Sequence, residues 1–195
     1  MSRKTLILLG LLAGPTACAA QPSNNGLSPG VSNVAAQRTC LAAEAVCLND
    51  PARAAMLDAF AQNCFSPFLT AESAEAAILP TGARLDFYDA RPFSDAAPSS
   101  TGGRAPTPGT DRRCEVAFDG DHGAEAAQVA TDAARAEGIT AEAPLPDAHA
   151  ATQGTTLLAA RYLNPNRIAV VTTGTRPGPN GVETYLQVER LAPLN

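Results

Sequence analysis

The side chains most able to do chemistry in this 195-residue sequence are five cysteines and two histidines, set among dispersed carboxylates. Cys18 stands apart from the other cysteines. It follows Arg3, Lys4 and an apolar run over residues 6–13, the charged-then-apolar pattern of an export signal. That run is shorter than the roughly 20 residues a membrane-spanning helix needs. The stretch "PTAC" resembles a lipobox, in which a small residue precedes a cysteine that is lipidated and becomes the new N-terminus. Thr16 and Ala17 suit it, while Pro15 stands where leucine is usual. The competing route is a small-x-small cleavage after Ala19 or Ala20, which discards Cys18. The polar "AAQPSNNGLSPGVSN" that follows has the composition of a flexible tether and favours the anchored form.

Both routes leave Cys40, Cys47, Cys64 and Cys114, an even number suited to disulfides in an oxidising compartment. Four cysteines allow three connectivities. Cys64 falls on the apolar stripe of a helix and Cys114 on the core side of a strand, so a bridge between them is favoured. Cys40 and Cys47 then pair locally. Seven residues of unbroken helix separate Cα atoms by about 10 Å, beyond the roughly 7 Å a disulfide tolerates, so that second bridge requires a break near residues 42–45. A metal-binding or redox set is disfavoured by the lack of any C-x-x-C.

The stretch "DGDHG" from Asp119 resembles the start of a calcium loop, but Gly123 and Ala124 occupy positions five and six and Ala130 stands where a ligating Glu belongs. A turn capped by Asp121 and leading into a helix accounts for the same residues. His122 and His149 are isolated in loops and read as surface polar residues. Glu115, Glu183 and Glu189 read as the solvated side of strands, although paired carboxylates could do acid–base work there. Arg161 and Arg167 flank an "NPN" turn, with Arg176 and Arg190 on the neighbouring hairpin. They form a basic rim able to hold an anionic ligand, against which surface ion pairing is the plainer account. The sequence has no G-x-S-x-G and no Gly-rich phosphate loop after a strand, and no cofactor or metal is expected.

The elements that must position these residues follow from periodicity. Residues 34–48 have helical composition. A better helix starts at Asp50-Pro51, with Met56, Phe60 and Cys64 on one face. A short helix over 71–79 is capped by Thr70. "RLDFYD" and "RCEVAFD" alternate as half-buried strands, with Leu85, Phe87, Cys114, Val116 and Phe118 inward. Between them residues 94–110 have almost nothing to bury and read as a mobile surface loop. Residues 123–138 form an alanine-faced helix with Ala126, Ala130, Ala133 and Ala134 inward. Three strand-like runs close the chain as an antiparallel meander, with an Asn-Gly turn signal at Asn180. The fold class is α+β: a single mainly antiparallel sheet of about five strands, helices packed on one face, stapled by disulfide.

The chain thus divides into an export signal over 1–20, a tether over 21–33 and one domain over 34–195. With Arg3 and Lys4 removed, 12 basic residues face 19 acidic ones, a formal charge of −7. Nucleic acid is therefore excluded as a partner, since that interaction needs a basic face. The remaining basic residues are all arginines, which reads first as compositional bias.

"FAQNC" and "CEVAF" together with the export signal resemble small exported (lipo)proteins of unknown function from alphaproteobacteria that share an F-x3-C and C-x-V pattern. The resemblance spans Phe60 to Phe118, implies a structural disulfide and carries no activity. The leading expectation is an exported, lipid-anchored, non-enzymatic protein of the periplasm or envelope. It would bind an envelope protein or small ligand and meet the membrane only through its anchor. A soluble periplasmic or secreted form remains the other route, and a periplasmic hydrolase without a known motif is the runner-up function.

Overall fold

A helix opens the part of the chain described by the computed structural model, which covers residues 50–193. Cys18, the export segment, the tether, the helix read over 34–48 and the pair Cys40 and Cys47 lie outside the described residues. Helix α1 (Pro51–Asn63) starts where the Asp50 side chain accepts from the Ala52 amide, with Pro51 at a position whose N–H would have no helical partner. Helix α2 (Ala71–Ile78) is held by a reciprocal cap between Thr70 and Ser73 and ends in a 3-10 turn over Leu79–Thr81. Gly82 closes that turn at φ 89°, a conformation that costs glycine little.

Strands β1 (Arg84–Asp89), β2 (Ser99–Thr101) and β3 (Thr110–Asp119) precede α3 (Gly123–Ala136), and β4 (Thr155–Asn164), β5 (Arg167–Gly178) and β6 (Gly181–Leu191) follow it. They form one antiparallel sheet in the order β2-β1-β3-β6-β5-β4. The α+β class and the closing meander stand. The strand count is six rather than five, because β2 arises inside the segment read as a mobile loop. Cys64 and Cys114 are bridged, with Cα atoms 5.4 Å apart.

Register sorts the side chains into two layers. Phe87, Cys114, Leu186, Val188, Ala169 and Val171 share one face and pack against Leu57, Phe60, Ile78, Ala126 and Ala130 of the helices. Small residues let α3 lie close: a Cβ on Gly123 would come within 2.5 Å of the Thr156 hydroxyl. The helix cap differs from expectation. The residue before α3 is His122, whose amide donates to Thr184 Oγ1, and no side chain, Asp121 included, caps the helix.

The opposite face is not left to solvent, as helices on one face alone would leave it. Glu115, Glu183 and Glu189 are buried there, and so is Ala117. Segments on either side of the strands cover them. Arg104, Ala105 and Thr107 lie over β3 and β6. Ala143 and His149 reach β4 and β6, where Ala160, Ile168, Val170 and Leu191 form a second apolar cluster.

Candidate functional site

A row of charges crosses the helix-facing side of the sheet near one end. Asp89 on β1 is the register partner of Arg112 on β3, and Arg112 is the partner of Arg190 on β6. Two guanidinium groups directly opposite one another repel. The pair is tolerated because carboxylates interleave: Arg190 donates to Asp111 Oδ1 at 2.7 Å and to Asp89 Oδ1 at 3.1 Å, and Arg112 Nε lies 3.7 Å from Asp89 Oδ2. Asp111 reaches this cluster because the β3–β6 register shifts between Thr110 and Arg112, and such a bulge re-aims a side chain. Arg167, at the start of β5, donates to its other oxygen at 2.8 Å.

The disulfide fixes the adjoining wall. It ties the end of α1 to β3, and the chain just beyond it turns its Ser66 and Leu69 carbonyls toward Arg112, which donates to them at 2.6 and 3.5 Å. The Arg112 guanidinium also lies over the Phe87 ring, 5.4 Å from its centroid. Burial pushes the Arg112 pKa down to about 10; Asp89 opposes that shift and the like charge of Arg190 adds to it.

Above this row opens a cleft of about 530 Å³, within the size range of small-molecule sites. Arg91, Arg112, Arg167 and Arg190 supply its positive charge; Phe65, Phe93, Leu163 and Val188 supply apolar wall; Glu137 is the one carboxylate among its lining residues. Arg91 is exposed, and among the described residues its guanidinium has no ion-pair or hydrogen-bond partner. At the rim Phe93 meets Phe68 edge to face at 5.4 Å, and the two rings are 71% and 63% exposed. The arrangement can hold an anion against fixed positive charge beside an apolar surface.

No protein-family model matches the chain. No curated protein and no solved structure matches it either.

The residues singled out from the sequence separate as follows. Arg167 lines the cleft, whereas Arg161 faces a smaller hollow beneath α3 and lies 3.7 Å from Glu142. Arg190 lies in the cleft floor, and Arg176 lies on the opposite face. The basic rim is therefore split, and ion pairing accounts for most of it. His122 stacks on Phe118 at 6.1 Å; burial, then the nearby Arg53 charge, lower its pKa below 6.5. His149 is not a surface residue: it is buried, with Nε2 2.8 Å from Glu189 Oε2. Asp119 accepts from Asn180 at 2.9 Å and pairs with Arg84 at 2.8 Å, bonds that lower its pKa and that a calcium ligand would have to give up. Among the described residues no three His, Cys, Asp or Glu side chains gather around a possible metal position.

The carboxylates expected to be solvated are instead clamped. Arg176 donates to Glu115 Oε1 and to Glu183 Oε1, both at 2.6 Å, and Arg84 donates to Glu183 Oε2 at 2.6 Å. Those bonds, more than offsetting burial, raise the Arg176 pKa. Arg104 Nη2 approaches Glu115 Oε2 at 2.6 Å and donates to Gln187 at 2.7 Å. Arg91, Arg112 and the Asp89–Asp111 pair were not singled out in the sequence. Asp111 and Arg112 sit at the start of a strand read only from Arg113 onward.

Proposed function

We propose that the protein is an exported, non-enzymatic binding protein of the cell envelope, anchored by lipid at Cys18, and that its ligand site is the arginine-lined cleft. One observation carries the binding assignment: Arg91 lines the cleft with a guanidinium that has no partner among the described residues, and Arg167 gives only one nitrogen to Asp111, so donors remain for an incoming anion. Two others support it. The buried carboxylates an enzyme would use as acid or base, Glu115, Glu183 and Glu189, already accept from Arg or His side chains. A disulfide between Cys64 and Cys114 fits an oxidising compartment, and no helix among the described residues is long and apolar enough to cross a membrane.

The test is to isolate the protein from its own envelope fraction and examine it by native mass spectrometry. The expected result is an acylated chain beginning at Cys18 that carries a small ligand, with the ligand lost in R91A/R167A. A chain beginning at Ala20 or Gln21 refutes the anchor. A ligand retained by R91A/R167A refutes the cleft.

A further inference from the structure

We infer that the cleft takes an amphipathic monoanion, an alkyl carboxylate whose head is held by Arg91 and Arg167 and whose chain lies along Phe65, Phe93 and Leu163. This rests on the cleft being the binding site and adds the class of ligand. Charge selects the head group. The four cleft arginines stand against Asp89, Asp111 and Glu137, a surplus of one positive charge, which one carboxylate balances. A phosphate dianion overshoots that surplus. The guanidinium fork also matches the two oxygens of a carboxylate. Arg112 and Arg190 are already committed to backbone carbonyls and to the two aspartates, so they set the field while Arg91 and Arg167 make contact.

Shape selects the body. A cleft of about 530 Å³ is far more than a short acid fills, and the walls beyond the arginines are aromatic and aliphatic. The exposed Phe68–Phe93 pair lies where the chain would leave the cleft and gives it a surface to cover. Large exposed apolar side chains in contact with one another are more informative than isolated ones.

The experiment is isothermal titration of the purified mature protein with sodium decanoate, kept below its micellar concentration. Octanoate, acetate, inorganic phosphate and decyltrimethylammonium are titrated in parallel. The expected result is one decanoate per chain, with octanoate binding more weakly by about fourfold for each methylene buried and with acetate and the cation not binding. R91A should weaken decanoate by roughly tenfold or more, and F93A should weaken decanoate without changing its charge preference. Arg91 and Phe93 are exposed, so both variants are expected to melt with the wild type. Phosphate binding that R91A abolishes, with no dependence on chain length, overturns the alkyl carboxylate and keeps the cleft as an anion site. Equal binding of the cation overturns the head-group assignment. No binding of any anion overturns both this inference and the cleft.

Discussion

Arg113 is 1% exposed and joins three parts of the fold, so its replacement by methionine tests whether the charged face is structural. Its Nε donates to Asp86 Oδ1 at 2.8 Å and its Nη2 bonds the same oxygen. Nη2 also donates to the Arg104 carbonyl at 2.7 Å, and Nη1 to the Ala105 carbonyl at 2.9 Å. Glu189, equally buried, lies 4.0 Å from Nη1. R113M keeps an unbranched apolar stem, shorter than arginine, but leaves Asp86 and Glu189 without this counter-charge and two carbonyls without a donor. Breaking a buried pair from one side costs about 3–5 kcal/mol, which for a domain of this size lowers Tm by roughly 10–15 °C. Urea denaturation followed by circular dichroism measures it, and hydrogen exchange at residues 104–107 should quicken at the same time. Adding D86N removes one of the stranded charges and should recover roughly 1–2 kcal/mol. A loss below about 1 kcal/mol at unchanged m-value would match an exposed pair and refute the reasoning.

Removing the disulfide as C64S/C114S opens a loop of sequence separation 50 and should cost roughly 4 kcal/mol in the chain-entropy account, read as a fall in urea midpoint that reducing agent reproduces in the wild type. The His122 pKa is depressed in the folded state, so as pH falls below 6.5 the unfolded chain takes up its proton first and stability declines until the folded pKa is passed; H122Q should flatten the Tm profile in that window. Proton NMR of the His122 ring should show a midpoint below 6.5. G174A should destabilise by about 1–3 kcal/mol, because its new methyl would sit 2.3 Å from the Gly154 carbonyl oxygen; a Tm equal to wild type would mean that β5 and the turn before β4 can separate freely.

Much of the helix-facing layer was legible because it obeys simple periodicity. Asp50-Pro51, the Thr70 cap and the alanine face of α3 each announce themselves locally, and Cys64 and Cys114 were placed correctly because both lie on apolar stripes. The opposite face departs from the sequence expectation for a physical reason. Alternation of charge along a strand signals a solvent face only if nothing covers it, and over β3 and β6 the covering chain is held by guanidinium groups, with an apolar cluster serving only the β4 and β5 side. The segment 94–110 has almost no apolar content, yet Arg113 binds its Arg104 and Ala105 carbonyls and Thr107 donates to Glu189 at 2.7 Å. One signal was present: after Lys4 every basic residue is arginine. Arginine, with a planar fork and weak hydration, is the cation suited to burial, so that composition was a structural statement and not only a bias.

The same composition explains why the cleft and the charged face behave differently. On the charged face Arg113 and Arg104 hold the covering chain to the sheet while Arg176 ties β5 to β6 and β3, so these guanidinium groups leave little for a ligand. At the cleft the carboxylates run short. Asp89 and Asp111 are shared among Arg112, Arg190 and Arg167, and Arg91 has no ion-pair partner among the described residues. Arg91 is exposed, so solvent screens its charge and keeping it unpaired costs little in the unliganded state. An anion bound to the folded protein alone would raise its apparent stability by mass action. Replacing Arg91 alone should therefore leave the unliganded protein as stable as wild type, and it should weaken only the liganded form.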